Sequence, residues 1–113
     1  VSNDADQIGP ALRALSDPAR REVVEMLSQG PRRAGQLADD LSVPAPTMSR
    51  HLRVLLEAGV VVDERPPGDA RVRLFRLRPE SVVGLRAWLD QIQAHWDEQL
   101  GSFKAHVERK GNR

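Results

Sequence analysis

Thr47, Ser49, Arg50, His51 and Arg53 lie within one short window, and Arg65, Arg71 and Arg73 follow soon after it. Hydroxyls donate and accept hydrogen bonds, an imidazole does either through its two nitrogens, and guanidinium groups offer forked donors. Such a donor-rich set suits phosphate oxygens and the acceptor edge of guanine, where one arginine pair gives about 1–3 kcal/mol of discrimination. Enzyme chemistry has no comparable set. The chain has three histidines and no cysteine, and it lacks a glycine-rich phosphate loop and a nucleophile elbow. Asp39-Asp40 reads as an exposed pair at a helix end. The expectation is a chain that is not an enzyme and needs no cofactor.

The elements that must hold these residues can be traced from apolar spacing. Val1 to Asp6 is polar and reads as frayed, and Val at the first position suggests a trimmed start. Gln7 to Leu15 can form a helix with Ile8, Leu12 and Leu15 on one face. Asp17 then offers an N-cap, with Pro18 at the first helical position of a helix running to about Gln29. In that helix Val23, Val24 and Leu27 turn inward. A third helix over about Ala34 to Leu41 buries Leu37, Ala38 and Leu41, and Ser42-Val43-Pro44 forms a turn. The fourth helix, residues 45–58, has Met48, Leu52, Leu55 and Leu56 at helical spacing. Thr47, Ser49, Arg50 and Arg53 therefore face solvent, with His51 at the boundary. A helix of this kind fits a major groove about 12 Å wide.

Val60 to Glu64 and Arg71 to Leu77 read as a hairpin, with Arg65 to Ala70 as its tip. The order of helix, turn, helix and arginine-bearing ribbon is that of a winged helix-turn-helix. The predicted fold is mainly α with a β-hairpin wing and about five helices. One domain over 1–113 is expected, with helices and wing over 7–78 and a long helix over 79–110.

The long helix carries Leu85, Leu89, Ile92, Trp96, Leu100, Phe103 and Val107 at spacings of 4, 3, 4, 4, 3 and 4. That stripe runs for about six turns and Trp88 widens it. A small winged body cannot cover so much apolar surface, so its natural partner is the same helix of a second copy, with the N-terminal helix helping. A homodimer is expected.

Charge supports nucleic acid as the other partner. The net charge of the 113 residues is only +1, but its distribution is uneven. Residues 31–78 hold nine arginines against six acids, a balance of +3, while residues 1–30 come to −2 and residues 79–113 to 0. The positive excess sits on the polar helix and the ribbon, where phosphates would be met. Arg20, Arg21, Arg32 and Arg33 are secondary phosphate candidates, with ion pairing of Arg20 and Arg21 to Asp17, Glu22 or Glu25 an equal alternative. No segment approaches the ~18 apolar residues of a membrane span, and no signal peptide is visible. A cytoplasmic location without membrane partners is expected.

With these residues placed, the chain resembles the ArsR/SmtB family of small dimeric bacterial repressors. The resemblance rests on Ala14-Leu15-Ser16-Asp17-Pro18-Ala19-Arg20-Arg21, Gln36-Leu37-Ala38, the run from Pro46 to Leu55 and Glu57-Ala58-Gly59-Val60-Val61. It covers roughly Ile8 to Val107. It implies a winged-helix homodimer, joined through its terminal helices, that binds a palindromic operator and represses transcription. The helix over 45–58 then matches the recognition helix. Thr47, Ser49, Arg50 and His51 match positions that contact bases and nearby phosphates, and Arg65, Arg71 and Arg73 match the wing. Pro44 departs from the usual Ser or Thr cap, and Pro66-Pro67 stiffens the wing tip.

Two other readings use the same scaffold. One is a winged-helix module that binds another protein. The other is a repressor that responds to a metal or to a small-molecule effector the sequence does not identify. His95 and His106 are eleven residues apart and share a helix face, a spacing like that of the terminal-helix metal site in some family members. The companion ligand positions hold Gln93 and Arg109, an amide and a cation in place of two ligands, so no metal site is expected. Without cysteine, the family's thiolate site on the third helix cannot form.

Overall fold

Asp17 and Pro18 start the best-defined helix of the chain. The Asp17 carboxylate accepts from the backbone N–H groups of Ala19 at 2.8 Å and Arg20 at 3.4 Å, capping a helix whose first residue is Pro18. The computed structural model describes residues 3–111, and side chains from Ile8 to Gly111. In chain order the elements are α1 (Asn3–Ala14), α2 (Pro18–Leu27), α3 (Ala34–Leu41), α4 (Ala45–Glu57), β1 (Val61–Glu64), β2 (Leu74–Leu77) and α5 (Pro79–Gly111). This is a winged helix-turn-helix: α3 and α4 form the two-helix unit, and β1 with β2 forms the wing.

The core gathers one face from each helix of the body. Val23 and Leu27 of α2, Leu37 and Ala38 of α3, and Met48, Leu52 and Leu55 of α4 are buried together with Val60, Val61 and Phe75. The helical spacing of these residues generates that shared face.

α1 departs from expectation in two ways. It begins at Asn3 where the sequence suggested fraying up to Asp6 and a start at Gln7; Val1 and Ser2 lie outside the described residues. Its inward residues are Ala11 and Ala14, while Leu12 is exposed and Ile8 and Leu15 are half-buried. Small side chains let α1 lie close against the body, which turns the larger Leu12 outward.

Two turns set the geometry of the helix-turn-helix. Ser42 ends α3 in the left-handed conformation, φ 55° and ψ 44°, and the N–H of Val43 returns to the Ala38 carbonyl at 2.9 Å. Gly59, φ +74°, ends α4 by a Schellman arrangement. There the N–H of Val60 donates to the Leu55 carbonyl and that of Gly59 to the Leu56 carbonyl, both at 3.0 Å. The chain leaves α4 directly into β1.

The wing is shorter than the alternation of Arg71, Val72, Arg73 and Leu74 suggested. β2 begins at Leu74, paired antiparallel to β1 in the register Val61↔Leu77 to Glu64↔Leu74. The Asp69 carboxylate accepts the Arg71 N–H at 3.1 Å and turns the chain before pairing can start. A further backbone tie was not expected: Arg32 and Phe75 exchange hydrogen bonds of 3.0 and 2.8 Å, joining the loop before α3 to β2. A lone hairpin is marginal in water; this bridge and buried Phe75 fix it to the body.

α5 leaves that body. Leu85 packs against the core and Trp88 is half-buried, but every residue from Leu89 to Gly111 is exposed. The helix runs unbroken past Gly101 for 33 residues, about 50 Å at 1.5 Å per residue.

Candidate nucleic-acid interface

α4 presents the polar face the sequence indicated. Ser49, Arg50 and Arg53 are exposed and His51 is half-buried. Thr47 differs from expectation: it is half-buried, and its hydroxyl accepts from Arg50 Nη2 at 3.4 Å. Pro44 precedes the helix without a side-chain cap, leaving the N–H groups of the first turn without a side-chain partner.

The corner between α1 and α2 supports α4 from behind. Arg20 donates through Nε to the Ala14 carbonyl and through Nη2 to the Arg13 carbonyl, while Arg21 Nη1 donates to the Leu15 carbonyl at 2.8 Å. Two guanidinium groups thus cap the carbonyl end of α1. Arg20 also pairs with Asp17 at 3.8 Å and places Nη1 3.4 Å from His51 Nδ1. Burial pushes the Asp17 carboxyl up, but two backbone N–H groups and the charges of Arg20 and His51 hold it below the ordinary carboxylate value. Arg20 is therefore engaged in the fold, and its pairing with Asp17 is one of the ion pairs the sequence suggested. Its contact with His51 had no sequence signal, since 31 residues separate the two.

In the wing, pairing with acids sorts the arginines. Arg73 Nε donates to Asp63 at 2.6 Å, Arg76 Nε to Glu64 at 3.0 Å, and Arg71 Nε to Asp69 at 3.4 Å. Arg78 lies 3.4 Å from Glu80. Hydrogen bonding from Arg73 is the main reason the Asp63 carboxyl sits below its ordinary value. Among the described residues of the 31–78 segment, Arg32, Arg33, Arg50, Arg53 and Arg65 have no acidic partner. Arg50, Arg53 and Arg65 thus combine a predicted role with an uncompensated charge. Arg71 is paired yet stands out at the tip, its side chain 93% exposed. Arg73 folds back over the Phe75 ring, 4.8 Å from its centroid, toward α4. Arg65 Nη1 donates to the Ala70 carbonyl at 2.8 Å and closes the tip.

The surroundings of these residues match known regulators. A helix-turn-helix domain model matches residues 15–64. The HTH-type transcriptional regulator Rv2034 of Mycobacterium tuberculosis is 39% identical over 102 residues, 90% of each chain. The HTH-type transcriptional repressor SmtB of the same species is 43% identical over 72 residues, 64% of this chain and 51% of that protein. Among solved structures, the ArsR-like transcriptional regulator from Rhodococcus sp. RHA1 superposes with a TM-score of 0.73 at 26% identity, covering 88% of this chain and 92% of that one.

The chain belongs to the ArsR/SmtB family of winged helix-turn-helix transcriptional regulators. In the family's frame α4 is the recognition helix and β1–β2 the wing. The residues with the family's metal-site spacing, His95 and His106, are exposed on α5. Gln93, at a companion position, donates to Asp97 at 2.9 Å. Among the described residues, no three His, Cys, Asp or Glu side chains come together as a metal site would require. No helix is long and apolar enough to cross a membrane.

Proposed function

We propose that this ArsR/SmtB protein is a sequence-specific repressor that acts as a homodimer on palindromic double-stranded DNA in the cytoplasm. α4 enters the major groove, with Ser49, Arg50, Arg53 and the edge of His51 at bases and phosphates and Thr47 steadying Arg50. Arg65, Arg71 and Arg73 approach the backbone from the wing. The observation that carries this reading is the coincidence of exposed polar groups on α4 with Arg50, Arg53 and Arg65, which have no acidic partner among the described residues. The residues over 7–78 serve as the reading unit and those over 79–110 as the dimerisation helix. Relatives named as repressors support the sign of regulation. A family neighbour described as a homodimeric winged helix-turn-helix domain supports the assembly, as does the apolar stripe on α5. Two copies joined there would hold their α4 helices for half-sites about one helical turn, ~34 Å, apart.

The test is fluorescence anisotropy on fragments of the protein's own promoter region across a salt series. Affinity is expected to fall steeply with salt, as phosphate contacts release counterions. Arg50→Ala with His51→Ala is expected to remove specific binding and leave the dimer intact. Absence of binding at low salt, or affinity indifferent to salt, would overturn the reading.

A further inference from the structure

We propose that the groove between α4 and β2 binds a small amphipathic carboxylate, aromatic or medium-chain aliphatic, and that its occupancy displaces DNA. The second half of this inference rests on the DNA-binding reading above; the first half does not.

The groove has a volume of about 330 Å³, within the ~300–1,000 Å³ range of small-molecule sites. Its floor is apolar: Leu52 and Phe75 are buried there, and Leu56 and Ala34 close its sides. Its rim is polar and cationic, formed by Ser49, Arg53 and Arg73. Arg53 has no acidic partner among the described residues. Arg73 is held through Nε by Asp63 and stacked over Phe75, and among the described residues its two terminal nitrogens have no protein acceptor. That leaves a pre-oriented guanidinium on the same rim as one with no acidic partner among the described residues.

The chemistry of the occupant follows from this combination. An uncharged apolar molecule would cover the floor but leave two cations facing it and desolvated, which is costly. A bare inorganic anion would satisfy the rim but leave the floor wet. A DNA phosphodiester reaches the rim and brings no apolar body to the floor. A carboxylate with a ring or short alkyl chain satisfies both, since carboxylates accept paired guanidinium donors. Ser49 and Arg53 are also on the face proposed for DNA, so the two ligands compete for the same groups. That competition would lift repression without any change of fold.

The full chain is titrated with naphthalene-2-carboxylate and octanoate, with naphthalene-2-methanol and octanol as uncharged controls, followed by backbone amide NMR shifts. Saturable shifts are expected at Ser49, Arg53 and Phe75, with the carboxylates binding about tenfold more tightly than the alcohols, the worth of a charge-assisted hydrogen bond. Arg53→Gln is expected to narrow that difference several-fold, with Arg73 still in place, and leave the alcohols unchanged. Ala34→Leu narrows the groove from the α3 side; it is expected to weaken all four probes while leaving duplex affinity as it was. Saturating carboxylate is expected to release bound duplex.

Shifts confined to α5, equal affinity for acid and alcohol, or simultaneous binding of carboxylate and duplex would each overturn the inference. Arg53→Gln alters an exposed position and keeps the test decisive if Ala34→Leu does not fold. Failure of the unliganded protein to bind any duplex would count against the proposed function alone, because the groove titration contains no DNA.

Discussion

Arg20 Nη1 lies 3.4 Å from His51 Nδ1, so the corner that joins α1 to α2 reaches the helix bearing the polar face. One guanidinium thus caps α1, pairs with the cap of α2 and touches a residue on α4.

Arg20→Ala should therefore affect stability and recognition together. Its side chain is only 16% exposed, and loss of hydrogen bonds from a charged donor costs about 1–3 kcal/mol. For a domain near this size that lowers the melting temperature by roughly 4–8 °C per kcal/mol. Circular-dichroism melts give the first number and duplex anisotropy the second. Lysine is expected to rescue neither fully, because an ammonium lacks the forked geometry. A wild-type melt for the alanine variant would show that the corner holds without this group.

Arg50 and Arg65 should fail in different ways. Arg50 stands on the helix proposed to read bases, and Arg65 on the wing proposed to meet the backbone. Arg50→Ala is expected to cost about 1–3 kcal/mol on the operator and to relax its preference over a scrambled duplex. Arg65→Ala should weaken both duplexes alike and reduce the salt slope by about 1. Salt-dependent anisotropy on both duplexes separates the two, and an identical pattern for both variants would contradict the assignment.

Legibility in the sequence followed the range of the forces involved. Asp17-Pro18 announced α2, and the spacing of Met48, Leu52 and Leu55 announced α4 and its polar face, because caps and helical periodicity act over a few residues. The start of β2 is not legible, because alternating Arg71 and Val72 mimic a strand while the Asp69 carboxylate captures the Arg71 N–H locally. The inward face of α1 is hidden in the sequence because Ala11 and Ala14 are small; burial there depends on close approach of another element, which no local pattern encodes. At the site, residue types were legible but pairing was not. That Arg73 is held by Asp63 while Arg53 is unpaired depends on strand register and on which strands face α4.

The Asp63–Arg73 clasp predicts a pH response of definite sign. The folded-state value of Asp63 lies below its ordinary 3.8. The clasp therefore contributes stability that is complete above the unfolded value and is lost as pH falls through the depressed one. The wing should stay clasped through mildly acidic conditions and open only in stronger acid. Carboxyl-carbon NMR titration of Asp63 gives the midpoint, which is expected below 3.8 and to return toward that value in Arg73→Gln. An unshifted midpoint in the unmodified protein would show that the hydrogen bond does not persist in solution.

Ser42 offers a test of the turn between α3 and α4. It is the only described non-glycine residue with positive φ, and the left-handed region costs an L-residue roughly 1–2 kcal/mol. Ser42→Gly removes that cost but frees the unfolded chain, so a net gain of up to about 1 kcal/mol is expected. Ser42→Val should lose more than that, since a β-branched side chain tolerates the conformation least. Urea denaturation of the three proteins orders them. Val equal to Ser would mean that the turn relaxes to another conformation and that the spacing of α3 and α4 is softer than the backbone implies.

The apolar stripe of α5 should decide the assembly. Trp96 is 59% exposed and Phe103 66% exposed in the single chain, with Leu89, Ile92, Leu100 and Val107 exposed along the same helix. Fully burying one such side chain contributes about 1.5–3 kcal/mol, so a paired stripe can offset the entropic cost of association, whereas one isolated helix of this length cannot cover it. Light scattering is expected to report about twice the 12.6 kDa chain mass. Leu100→Asp places a charge mid-stripe and should give a monomer whose body from α2 to β2 remains folded, because Leu100 lies far from the core residues of those elements. Tryptophan emission should shift to the red in that variant as Trp96 meets water. Duplex affinity should fall much further than for any single arginine variant, since one chain supplies one recognition helix. A Leu100→Asp protein that stays dimeric would place the contact elsewhere, and an unmodified protein that is monomeric at micromolar concentration would remove the basis for spacing two α4 helices on one duplex.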